Sequence, residues 1–115
     1  MIIEHTRWFT GPALTKEDII FLHLRAKDYE IVRMHRYGPG YSDGRMEVEL
    51  QHRLFPDSGL VFWYNGLNGR LDSIAEIFVN CGGFRQFRRH TELSNGQFDL
   101  FARAYGLPDT KRLSA

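Results

Sequence analysis

What the chain lacks narrows the field first. One cysteine in 115 residues cannot form an internal disulfide, which argues against a small secreted scaffold stapled by cystines. No apolar run approaches the roughly 20 residues that a membrane-spanning helix requires. The opening MIIEHTRWF has neither the basic start nor the long apolar stretch of a secretory leader, and a cytoplasmic location is expected. Lysine is scarce, three against twelve arginines, and the net charge is +1. A globally basic nucleic-acid binder would carry a larger excess, so any phosphate-binding surface has to come from local clustering. Internal repeats and low-complexity segments are absent as well. What remains is ordinary for a folded domain: 43% hydrophobic and 25% charged residues, with aromatics at 14%. A single domain over residues 1–108, followed by a patternless tail at 109–115, is the expectation.

The stretch from Glu30 to Asn65 organises the rest. It contains three strand-like runs separated by two turn-rich breaks. Val32 and Met34 alternate with Arg33, His35 and Tyr37; Met46, Val48, Leu50 and Leu54 continue the apolar set. Closing GPGYSDG (38–44) symmetrically puts Val32 opposite Leu50 and Met34 opposite Val48. The same register sets Arg33 against Glu49 and His35 against Glu47 on the other face. Apolar pairs on one side and opposite charges on the other are what a specified antiparallel pair needs. Pro56-Asp-Ser-Gly59 forms the second turn. The third strand, Leu60 to Asn65, is apolar on both faces, and the turn length decides which face is core.

Around this meander the chain reads as follows. Residues 2–9 (IIEHTRWF) form a first strand. Thr15-Lys-Glu-Asp18 has capping-box spacing and opens a helix over about 16–27, whose apolar residues surround most of the cylinder and predict deep burial. Ser73-Ile-Ala-Glu76 is a second such box, with Ile74, Ile77, Phe78 and Cys81 at helical spacing, and predicts a helix ended by Gly82-Gly83. FRQFRRH (84–90) reads as a short strand. Ser94-Asn-Gly-Gln97 opens a last helix carrying Phe98, Phe101, Ala102 and Tyr105 on one face, stopped by Gly106 and Pro108. The order β-α-β-β-β-α-(β)-α specifies an α+β domain, an antiparallel meander with helices packed on it.

Candidate sites are few. The five histidines (5, 23, 35, 52, 90) make no HExxH, HxxxH or Cys-His ligand pattern, so no metal or other cofactor is expected. His35 has Glu47 as a cross-strand partner. His52, on the core face near Glu30, has the position of a base oriented by a carboxylate, yet no nucleophile accompanies it. Cys81 sits near a predicted helix C-terminus, where the dipole opposes a thiolate, and reads as a core thiol. GPGYSDG joins two strands and lacks Gly-Lys-Ser/Thr, so it is a long hairpin tip displaying Tyr41 rather than a phosphate loop. Arg85, Arg88, Arg89 and His90 form the one basic cluster, interleaved with Phe84 and Phe87, a composition able to grip phosphates and stack bases.

Two stretches resemble known families. The α-β-β-β-α order read over residues 16–81 resembles the double-stranded-RNA-binding domain, which implies RNA as ligand. That family carries a lysine-rich N-terminus on its second helix, where this chain has NGRLDSIAE, with one arginine and two acids. FARAYGLPDTKRLS (101–114) resembles the centre of a helix-turn-helix, with too few residues after it for a recognition helix.

No motif identifies a reaction. The leading expectation is a small non-enzymatic binding protein, monomer or homodimer, acting on a protein partner. An accessory or inhibitory role of the phage or mobile-element kind would suit such a chain. Its expected surface is the aromatic sheet face and hairpin tip, with Tyr41, Phe62, Tyr64, Arg33 and Arg53 as contacts. The alternative is nucleic-acid binding through Arg85, Arg88, Arg89 and His90. Third is an enzyme with a dispersed site drawn from His52, His35 and Tyr64.

Overall fold

The computed structural model describes residues 13–36, 45–65, 73–79 and 85–108. The elements are helix α1 (Lys16–Leu24), a 3-10 turn (Ala26–Asp28), strands β1 (Tyr29–Arg36), β2 (Arg45–His52), β3 (Ser58–Asn65), β4 (Ser73–Val79) and β5 (Arg85–Glu92), and helix α2 (Asn95–Tyr105). The strands form one antiparallel sheet in sequence order, β1-β2-β3-β4-β5. The α+β class and the antiparallel meander are as the sequence specifies. The predicted first strand (2–9), the hairpin tip with Tyr41, Cys81 and the tail at 109–115 lie outside the described residues.

One element is corrected. Ser73–Val79 is a strand, not a helix. It pairs with β3 on one side and β5 on the other, so hydrogen bonding on both flanks overrides its helical spacing. The order resembling the double-stranded-RNA-binding domain is thereby lost, since the residues read as its second helix form β4 over Ser73–Val79.

Three of the four expected β1–β2 pairs are present: Met34 with Val48, Arg33 with Glu49 and His35 with Glu47. The fourth is displaced. A bulge at Val32 lets Ile31, instead of Val32, face Leu50. Val32 and Met34 are exposed, as is Leu54 beyond the end of β2. Position in the sheet explains this: β1 is the last strand on its side among the described residues, so its side chains have a neighbour on one flank only.

The two faces of the sheet carry separate cores. Met46, Val48, Leu50, Leu60, Phe62, Tyr64 and Ile74 point toward the helices and pack with Leu14, Leu22, Phe101 and Tyr105. Val61, Trp63, Ala75 and Ile77, with Phe87 against them, form the second cluster on the opposite face. Both faces of β3 are therefore buried. The helices are fixed on the first face by the capping chemistry seen in the sequence. Thr15 and Asp18 cap α1 reciprocally, and Ser94 and Gln97 do the same for α2. Gly106, in the left-handed region at φ 68°, ends α2. The Tyr105 hydroxyl donates to the Leu22 carbonyl and ties the two helices together.

Candidate interaction surface

Most of the residues singled out from the sequence have internal employment. Phe62 and Tyr64 lie on the helix-covered face and are buried, with Phe62 against Phe101 and Tyr105 and Tyr64 against Phe98. The Tyr64 hydroxyl donates to the Pro108 carbonyl at 2.6 Å. Neither reaches the surface, which corrects the expected aromatic patch: the turn at 53–57 sets β3 so that Leu60, Phe62 and Tyr64 face inward with Leu50, Val48 and Met46.

Arg33 does lie on the opposite face, where it clasps acids. Its guanidinium donates to Glu47 and, through Nε, to Glu49 at 3.3 Å. Burial opposes its charge, but Glu47 and Glu49 outweigh that and raise its pKa further. Glu47, itself buried, also accepts from Trp63 Nε1 at 2.7 Å. Arg53 acts as a tie at the far end of the sheet. Its backbone N–H and Nε donate to the Asp28 and Lys27 carbonyls, and Nη1 reaches Glu30 at 3.0 Å.

The basic cluster on β5 is divided. Arg89 faces the helices and bridges Asp18 of α1 and Glu76 of β4, each at 2.7 Å. Its hydrogen bond to Glu76 leads the causes that raise its pKa. Asp18 is held below the usual carboxylate range, chiefly by the Thr15 backbone N–H and hydroxyl, with Arg89 adding to them. Arg88 is the extra residue at a bulge where Glu76 pairs Arg89 and Ile77 pairs Phe87. His90 pairs with Ala75 on the other face, and burial pushes its imidazole down. Of Arg85 only the backbone is described. Arg89 and His90 thus lie on opposite faces of β5, and Arg89 is engaged by Asp18 and Glu76.

The enzyme candidates are not brought together. His52 Nδ1 accepts the N–H groups of Leu54 and Phe55 at 3.1 and 3.3 Å, and its ring packs edge-on against Tyr29. It organises the turn after β2. Tyr64 pairs with Met46, six residues along the strand from His52, or roughly 20 Å. His35 is on the opposite face, paired with Glu47. A recess beside Gly59, edged by Glu49, Gln51, Pro56 and Ser58, holds about 130 Å³; pockets for drug-sized ligands run from about 300 Å³ upward. Among the described residues no group of three or more His, Cys, Asp or Glu is arranged to hold a metal ion.

The surface that stands out is one the sequence had placed in the interior. Helix α1, KEDIIFLHL, is apolar nearly all round, yet Leu22 is its one buried residue. Ile19 and His23 are half-buried, His23 edge-on to Phe101. On the outer side Ile20, Phe21 and Leu24 are 52%, 55% and 73% exposed. With Glu17 they follow i, i+3, i+4, i+7 spacing, one continuous stripe. Arg25, at the C-cap, lays its guanidinium over the Phe21 ring at 5.4 Å. The signal for this surface was available in the sequence, because a nine-residue helix packed on one sheet can turn only part of its circumference inward. Comparisons with protein-family models, curated proteins and solved structures gave no match for the chain.

Proposed function

We propose that the chain is a small non-enzymatic binding protein working through a protein–protein interface centred on the outer face of α1. The observation that carries this is the contiguous exposure of Ile20, Phe21 and Leu24. Single exposed apolar residues are common on soluble proteins; a stripe of three on one helix face is the anatomy of a docking site. Full burial of one such side chain yields about 1.5–3 kcal/mol, so three that are more than half exposed leave roughly 3–5 kcal/mol available to a partner. Glu17 and Arg25 flank the stripe as a charged margin, the arrangement in which aromatics supply affinity and rim charges supply selectivity. An accessory or inhibitory role is the kind of work we propose for such a face.

The test is site-specific photocrosslinking in cells. A benzophenone side chain at Leu24 should give a covalent adduct with another polypeptide, while the same probe at Glu92, exposed at the end of β5, should not. Equal labelling at the two positions, or none at Leu24, defeats the reading.

A further inference from the structure

We infer that the partner of α1 is a second copy of this chain, the two helices crossing antiparallel about a two-fold axis beside Phe21; this rests on reading that face as an interface. The stripe is symmetric about Phe21. Glu17, Phe21 and Arg25 stand four residues apart on one ridge of the helix, with an acid toward the N-terminus, a base at the C-cap and the aromatic ring midway. Ile20 and Leu24 form the neighbouring ridge.

A two-fold contact requires the same patch on both subunits to be complementary to itself, so that residue i meets j and j meets i. With the axis at Phe21, the ring meets its own counterpart, and Ile20 and Leu24 fill the grooves to either side. Glu17 of each copy then lies toward Arg25 of the other, about 6 Å along the helix from the centre. Packing two ridges of i±4 spacing produces a steep crossing, and both charged side chains are long enough to span it. Antiparallel crossing also brings the positive end of each helix dipole near the negative end of the other.

Both charges are available for this role. Neither Glu17 nor Arg25 takes part in a salt bridge among the described residues, and both are exposed. Arg25 is already held over the Phe21 ring, which keeps its guanidinium beside the centre of the contact. An unrelated partner would demand no such internal symmetry. A single nine-residue helix offers less than the standard interface, so a reversible dimer with a dissociation constant on the order of 10 μM is expected.

Sedimentation velocity over a concentration series decides the matter. The wild-type chain should shift from monomer to dimer, and Phe21→Asp should remain monomeric at every concentration. Glu17→Arg and Arg25→Glu should each weaken association roughly tenfold, because each sets like charges together twice per dimer. The double variant E17R/R25E restores both pairs and should return to within about threefold of wild type. All three positions are exposed, so thermal melts of the variants should match wild type, and a variant that does not is replaced by Leu24→Lys. A wild-type chain monomeric to about 1 mM, a dimer indifferent to Phe21→Asp, or a double variant no better than the singles overturns the inference. If the chain is monomeric while the Leu24 probe captures a different protein, the two-fold pairing fails and the interface reading stands. If it is monomeric and the probe captures nothing, both fail.

Discussion

Gly59→Ala adds one methyl group in the middle of the sheet, where the structure leaves no space for it. Gly59 sits on β3 between Gln51 of β2 and Ile77 of β4. A Cβ there would stand 2.4 Å from the Leu50 carbonyl oxygen and 3.2 Å from Ile77 Cγ1. The isoleucine can give way by a small rotation. The carbonyl cannot, because it belongs to a strand paired on both sides, and carbon–oxygen contacts settle at about 3.3–3.6 Å. Strands β2 and β3 would have to part by about 1 Å. Overpacking of this kind costs about 1–3 kcal/mol, and each ladder bond stretched by the separation adds about 1 kcal/mol. A loss of about 3 kcal/mol is expected, from a total of only about 5–15 kcal/mol for a domain. Since 1 kcal/mol moves the melting point of such a domain by about 4–8 °C, Tm should fall by at least about 12 °C. The urea midpoint should fall with an unchanged slope. The control is the same substitution at Gly96, where nothing lies within 4 Å of the added atom and the residue occupies the first turn of α2. There Ala should stabilise by about 0.4–1 kcal/mol. Melting of Gly59→Ala within about 2 °C of wild type would refute the close approach on which this argument depends.

Four further outcomes are expected. Val48→Asp puts an unpaired carboxylate in the core and should prevent stable folding, whereas Met34→Asp, on the exposed edge, should change the urea midpoint by less than about 0.5 kcal/mol equivalent. Glu47→Leu strips the acceptor from Trp63 and a partner from Arg33 and should cost about 3 kcal/mol by chemical denaturation. Asp18 has a lowered pKa, so the unfolded chain binds its proton first; its contribution to stability is present above the ordinary value of 3.8 and is lost as pH falls through the folded value, a slope that Asp18→Asn should remove. His90 is also lowered, by burial, with Glu92 opposing. Its neutral form is favoured in the fold, so stability should decline as pH drops from 6.5 toward the folded value, and His90→Gln should flatten that decline.

The parts of the fold legible in the sequence were those whose signal is local. Thr15 with Asp18, and Ser94 with Gln97, mark both helix starts because a cap is satisfied within one turn. The β1–β2 register was readable because Arg33, His35, Glu47 and Glu49 declare opposite charges on one face. Strand β4 was not readable, and Glu76 is the reason. Strict alternation would make positions 74 and 76 both apolar, but the face they share holds Glu76 so that it can meet Arg89. That acid breaks the period-two pattern and completes a false capping box with Ser73. Its true partner lies thirteen residues away, beyond any window a periodicity argument uses. The bulges at Val32 and Arg88 are invisible for a similar reason, since each is defined by the strand opposite. The burial of Phe62 and Tyr64 is hidden for a related reason. Aromatics on β3 look like a patch when taken alone, and only the packing of Phe101, Tyr105 and Phe98 against them shows that they are core.

How α1 is held bears directly on what its outer face can do. Leu22 anchors its inner side in the core, and the Tyr105 hydroxyl secures the Leu22 carbonyl. At its N-terminal turn Asp18 is gripped by Thr15 and Arg89, and Arg89 is gripped in turn by Glu76. The helix is thus pinned to α2, β4 and β5 before any partner arrives. A helix that is already formed and oriented surrenders little conformational entropy when it docks, so more of the free energy from covering Ile20, Phe21 and Leu24 appears as affinity. For the proposed contact, the same pinning makes Arg89 a lever on binding although it lies outside the stripe. Arg89→Met should leave the stripe chemically intact but loosen the N-terminal turn that carries Glu17. Amide exchange in residues 16–20 should quicken, and association should weaken by roughly threefold through the cost of reordering that turn. Exchange that quickens with no change in association would show that the N-terminal turn lies outside the contact.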